Sequence, residues 1–298
     1  MRYPFTYVMV CVLVVFGGLP VAVILAARPQ RADNPRDVSN KYDKLSHANN
    51  PGGPAPIRDL SGAWAGPTDP IPHSTAELPR NPAVPPMTPL GQKMFSLNKP
   101  EGPQAEFGKQ VPVALSNDPL KTCDPLGFPR DVTFEDRGIQ FVQTPAALWQ
   151  MFQYQRIWRE IWTDGRALPK DVGGRSADSL DPRYYGYSVG HWNDDYTLVV
   201  DSVGTDDRTW LDNAGHPHSA DLHVAERYTR IDHNDIEVSV TIDDPKMYTK
   251  PFEITKYNLK WIPEQQFEEQ LCVPSEIIEY DRLVGALAGD PAAARKSR

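Results

Sequence analysis

Cysteine is scarce in this chain, with three residues in 298, and no two of them make a C-x-x-C redox motif. Basic charge is not in excess: 31 Lys and Arg face 39 Asp and Glu, for a net charge of −8. That balance offers no electrostatic footprint for DNA or RNA, and nucleic acid is excluded as a partner. The familiar catalytic signatures are missing too. Without G-x-S-x-G, a P-loop, G-x-G-x-x-G or H-E-x-x-H, serine-elbow hydrolases, P-loop NTPases and Rossmann dehydrogenases are set aside.

Proline, by contrast, is abundant. Most of the 30 prolines lie before Pro145, far above the usual share of about 5%, so the chain divides into two halves of different character. Long apolar runs are confined to one. Residues 3–27, "YPFTYVMVCVLVVFGGLPVAVILAA", carry no charge. They exceed a signal-peptide core of about 7–15 residues and match the roughly 20 needed to span a bilayer. Residues 1–28 therefore read as a transmembrane anchor helix, with a cleaved signal segment as the alternative. Arg2 alone precedes the run, whereas Arg28, Arg31, Arg36, Lys41 and Lys44 follow it. Charge bias alone would keep the body in the cytoplasm, but long domains translocate largely regardless of charge. The expectation is a periplasmic or extracytoplasmic domain held to the inner membrane. Cys11 lies within the apolar run, leaving Cys123 and Cys272 in the body. In an exported chain these most simply form one disulfide, with two buried thiols as the alternative.

Residues 29–58 are polar and poor in periodicity, which reads as a disordered tether. Residues 59–130 form a proline-rich arm expected to pack on the rest. "DLSGAWAG" supplies a short leading strand, and "TPLGQKMF" a short helix capped by Thr88 with Pro89 in its first turn. From residue 131 to 274 the text alternates strand and turn without helical crossovers. Candidate strands are "DVTFED", "IQFVQTP", "LWQMFQYQR", "RIWREIW", "YYGYSVGHW", "YTLVVDSVG", "LHVAERYTRI", "IEVSVTIDD", "FEITKYNLKWI" and "QQFEEQLCV", with turns such as Asn193-Asp194-Asp195 and His233-Asn234-Asp235 between them. Neighbours are expected to pair antiparallel, and some ten strands in a meander to close into an up-and-down, calycin- or lipocalin-like β-barrel. A two-sheet sandwich is the rival. Residues 275–298 read as a C-terminal tail that starts as a short helix.

Several phrases, "SNDPLKTCDPLGFPR", "IWTDGR", "GYSVGHW", "TWLDNAGHPHSADLHVAERY" and "TIDDPKMYTKPF", resemble a large family of exported bacterial β-rich proteins. The resemblance runs from about Leu60 to Cys272. It implies a secreted or periplasmic β-rich domain with paired cysteines near Cys123 and Cys272. The chain departs from the family pattern at Asn193-Asp194-Asp195, where Glu-Gly-Asp is usual, and in its longer apolar N-terminus.

Two constellations are candidates for chemistry. His216-Pro217-His218 has H-x-H spacing, which in an extended segment turns both imidazoles to one side, as a divalent metal such as zinc or copper requires. Asp212 or His223 could be a third ligand. The same loop also reads as a metal-free polar site or as a purely structural turn. The second constellation comes from strand alternation. Arg159 shares a face with Ile157 and Ile161, Asp201 with Val199 and Val203, and Glu226 with Leu222, Val224 and Tyr228. A charge on an apolar face is costly unless paired. These three residues therefore form a buried network that sets the barrel register, or they line a ligand cavity. Tyr184, Tyr185, Tyr187, Trp192 and Trp210 add aromatic rings near one barrel end. Three functions remain open: a barrel binding a small amphipathic ligand without an obligatory cofactor; an enzyme using the His/Asp site, with or without a metal; and an accessory subunit of a membrane complex.

Overall fold

The computed structural model describes residues 12–16, 19–23, 53–65, 86–100, 111, 115–133, 138–263, 267, 269–280 and 282–283. The chain divides into two compact units, Met1–Lys41 and Tyr42–Arg298. In the first, β1 (Val12–Phe16) pairs antiparallel with β2 (Leu19–Val23). The rest of the expected anchor, most of the tether and most of the C-terminal tail lie outside the described residues. Among those described, no helix is long and apolar enough to cross a membrane.

The second unit is mostly β. In chain order it holds β3 (Gly62–Ala65), α1 (Pro89–Leu97), α2 (Arg130–Thr133), β4 (Ile139–Gln143), β5 (Ala147–Phe152), β6 (Trp158–Trp162), β7 (Tyr187–Trp192), β8 (Thr197–Val203), β9 (His223–Arg230), β10 (Asp235–Asp243), β11 (Phe252–Trp261) and α3 (Pro274–Tyr280). Nine strands, β3 to β11, close into a barrel in sequential order. Period-two patterning explains why. In β10, Ile236, Val238, Val240 and Ile242 are buried while Glu237, Ser239, Thr241 and Asp243 are not, as a sheet with one buried face requires. A register shift between Val240 and Thr241 marks a bulge against β11. It lets Ile254 and Thr255, adjacent in sequence, both be buried. Closure between β3 and β11 needs Gly62, at φ 129°, because a Cβ there would stand 2.0 Å from the Trp261 ring.

Helix α1 begins as its sequence predicts: Thr88 Oγ1 accepts from the Gly91 N–H at 3.1 Å, and Pro89 opens the first turn. Four expectations change. The leading strand, from the proline-rich arm, is an integral part of the barrel, so the barrel does not start at residue 131. The described part of "DVTFED", residues 131–133, lies in α2 and not in a strand. Its alternation is overridden because Arg130 hooks Asp118 through two hydrogen bonds, 2.8 and 2.6 Å, and Asn213 at 2.7 Å. The described residues of "QQFEEQLCV" carry no strand; with two of the ten candidates lost and the leading strand gained, the barrel has nine strands. Lastly, the barrel is not antiparallel throughout. β6 and β7 run parallel, joined by residues 163–186, and pair only at Ile161↔Ser188 and Trp162↔Val189. A parallel connection needs a long excursion, and this one leaves a short seam in the wall.

Candidate functional site

A cleft of about 760 Å³ opens at the seam, lined by β6, β7 and the connection between them. Five aromatic side chains, Trp158, Trp162, Tyr184, Tyr185 and Tyr187, form much of its wall, with Arg159 and Ser188 among the deeper residues. Trp158 is 57% exposed, high for so large an apolar surface. Two arginines lie over rings: Arg166 over Trp162 at 3.5 Å and Arg183 over Tyr187 at 4.3 Å from the ring centroids. Arg166 also pairs with Asp164 at 2.6 Å. Arg183 makes no ion pair among the described residues.

Behind the cleft a polar network is set into the apolar barrel interior. Arg159 Nη2 donates to both Glu226 oxygens at 2.6 and 2.7 Å, and Nε donates to Gln150 at 2.7 Å. Its Nη1 reaches Ser188 and Ser202 at 3.3 and 3.4 Å. The Phe128 ring covers the guanidinium face at 3.8 Å. Tyr228 closes the ring of partners by donating to Glu226 and accepting from Gln150 at 3.2 Å. Burial opposes the charge on Arg159, but Glu226 and Tyr228 outweigh it and raise the guanidinium pKa above its ordinary value. Burial first, and then the Glu226 charge, push the Tyr228 hydroxyl well up. A guanidinium has five donors, and protein acceptors surround all three of its nitrogens. Arg159 therefore shapes the cleft wall and is not a free clamp for a ligand.

The remaining predicted residues do not join this site. Asp201 lies on the outer face of β8, about one-third exposed, and pairs with His223 at 2.9 Å; the network partner from that strand is Ser202. Trp210 is buried beneath Arg130, 5.3 Å from its ring centroid, and is no part of the cleft. Asp212, His216 and His218 are not gathered around a common point. His216 Nδ1 lies 2.5 Å from Asp212 Oδ2, and its ring stacks on Phe95 of α1 at 4.8 Å. His218 Nε2 lies 2.8 Å from Thr209 Oγ1, and Nδ1 lies 3.2 Å from the Ser219 carbonyl. Burial raises and His216 lowers the Asp212 pKa, with a net fall; burial holds His218 below its ordinary value. Among the described residues no three His, Cys, Asp or Glu side chains form a metal-holding group.

The histidine loop is instead a clasp. Asp244 accepts from the Ser219 N–H and hydroxyl at 2.6 and 2.9 Å, Tyr248 donates to the Pro217 carbonyl at 2.9 Å, and Asn98 donates to the Gly215 carbonyl at 2.8 Å. Both imidazoles are almost completely buried, whereas an open loop would leave them few core contacts. Replacing both by alanine should lower stability by about 3 kcal/mol, since it removes packed rings and leaves buried partners unsatisfied. Urea melts followed by circular dichroism will measure this; a loss under about 1 kcal/mol would restore the open-loop view.

Sequence reasoning missed Gln150, Ser188, Ser202, Arg183 and Asp131. Gln150 carried the same signal as Arg159, a polar residue sharing a strand face with Leu148 and Phe152. Asp131 is fully buried on α2, where the Tyr185 hydroxyl donates to its Oδ2. Burial raises its carboxyl to about 7, against the opposing effects of Tyr185, Arg130 and Arg159. Burial and the Asp131 charge in turn push the Tyr185 hydroxyl well up. Comparisons with protein-family models, curated proteins and solved structures found no match, so the geometry alone carries the functional reading.

Proposed function

We propose that this chain is a cell-envelope barrel protein that binds a small amphipathic organic molecule, calycin-like in its use of a barrel for ligand capture. The observation that carries the reading is the aromatic-walled cleft of about 760 Å³ at the β6–β7 seam. Ligand sites are typically concave, of roughly 300–1,000 Å³, and apolar with a few placed polar groups. The cleft lies in the barrel wall, and the Arg159 network and the apolar core occupy inward-facing positions behind it. An envelope location is supported by the Cys123–Cys272 bridge, since disulfides persist in oxidising compartments, and by the length of the apolar N-terminal run.

The neutral aromatic probe 2-naphthamide tests the reading. It should quench tryptophan fluorescence saturably, with one site and a Kd on the order of 0.1 mM, a value typical of so small a ligand. Trp158→Ala should weaken it about fivefold. Linear, unsaturable quenching by both this probe and naphthalene-2-carboxylate would reject the cleft as a ligand site.

A further inference from the structure

The buried carboxylates of this barrel are not equivalent. Asp118 and Glu226 each hold an arginine, and Asp244 accepts backbone N–H groups. Asp131 has the Tyr185 hydroxyl on one oxygen, while its Oδ1 is buried and meets no donor among the described residues. A carboxyl left half-satisfied at full burial is costly unless it is held neutral or serves a function. Among the described residues, three charged or titratable groups act on it. Tyr185 comes from the connection before β7. Arg130 is its neighbour on α2, with its guanidinium committed to Asp118 and Asn213. Arg159 on β6 is committed to Glu226, Gln150, Ser188 and Ser202. Both arginine charges favour the ionised form of Asp131, but neither guanidinium hydrogen-bonds to it among the described residues. Tyr185 itself lines the cleft, so the acid stands directly behind the ligand wall.

We propose that the cleft takes its ligand as an organic acid in its anionic form, and that Asp131 takes up a proton as the anion seats. The inference rests on the cleft being a ligand site and adds the class of ligand. Arg183, over the Tyr187 ring and without an ion pair among the described residues, is the guanidinium available for a bidentate contact with a carboxylate. An amine is disfavoured, because arginines already cover the Trp162 and Tyr187 faces that would hold a cation. A new negative charge near Asp131 penalises its ionised form, so a proton from solvent accompanies the ligand and no covalent bond changes. The carboxyl titrates near neutrality, so the coupling operates at ordinary pH.

The test uses the full-length protein and naphthalene-2-carboxylate, which is ionised throughout pH 6–9. Calorimetric titrations at pH 7 in phosphate and in Tris, buffers of different ionisation enthalpy, report protons taken up per ligand. The expected uptake at pH 7 is at most about half a proton, because a group with a pKa near 7 is half-ionised there. Affinity should fall as pH rises from 6 to 9. Asp131→Asn should abolish both the uptake and the pH dependence. Arg183→Gln should weaken the carboxylate about tenfold and leave 2-naphthamide unchanged. Equal binding of carboxylate and amide with no proton uptake would overturn the proposal and leave the cleft standing as a ligand site. Binding of neither would remove the cleft reading and this inference together. If Asp131→Asn does not fold, the buffer pair and pH series on the wild type still decide.

Discussion

Glu226→Ala is expected to cost about 3–5 kcal/mol, enough to leave the barrel largely unfolded under mild denaturant. Domains of this kind are stable by only about 5–15 kcal/mol, so the loss is a large fraction of the total. The side chains of Arg159 and Glu226 are 2% and 0% exposed. Removing the carboxylate strands a buried guanidinium, which is the most expensive way to break such a pair. The damage spreads because Tyr228 donates to the same carboxylate, while Ser188, Ser202 and Gln150 orient the same guanidinium. Such networks are worth more than the sum of their pairs. Glu226→Gln keeps an acceptor and should cost less than Glu226→Ala. Urea denaturation of the wild type and both variants measures the difference. A loss below about 1 kcal/mol for Glu226→Ala would show that the pair does not hold the interior together.

The network also shows how far the chain could be read before its fold was seen. Arg159 and Glu226 each interrupt an otherwise apolar strand face, and that pattern located both. Asp201 misled, because "TLVVDSV" has apolar residues on both faces, with Leu198 and Val200 inside and Val199 and Val203 opposite them. Content alone cannot choose the inner face of such a strand, and the small Ser202 that does choose it carries no signal. His216 and His218 read as loop residues by their neighbours, yet their burial is imposed from far away, by Phe95 on α1 and by Asp244 after β10. Asp131 was hidden for the same reason. "DVTFED" alternates like a strand, and only the reach of Arg130 to Asp118 and Asn213 winds its first three residues into a turn of helix. The parallel seam had no local signature either, since residues 163–186 lack any periodicity. What was legible was period-two patterning and turn chemistry. What was not legible was which residues a distant partner buries and where the wall opens into the cleft.

Reduction of the Cys123–Cys272 disulfide is expected to have the other large effect, a loss of about 5 kcal/mol for a closed loop this long in the chain-entropy model. The two cysteines are 149 residues apart, so the bridge constrains nearly the whole barrel in the unfolded chain. In the folded chain it joins the turn after Pro119–Thr122 to the segment leading into α3. That turn continues into Phe128, which covers Arg159, and into Asp131, which stands behind Tyr185. Loosening it should therefore weaken probe binding at the cleft as well as lower the melting temperature, the latter by on the order of 10 °C for a domain of this size. The bridge is not the sole tie there, because the Arg130–Asp118 pair anchors the same segment at 2.6 Å. The reduced protein should accordingly stay β-rich at low temperature and lose affinity before it loses its fold. Melts and naphthalene-2-carboxylate titrations, with and without reductant and on the Cys123→Ser/Cys272→Ser variant, separate the two effects. Superimposable melts for oxidised and reduced protein would show that the bridge contributes nothing to stability. A lower melting temperature with unchanged affinity would show that the segment from Cys123 to Asp131 does not support the cleft.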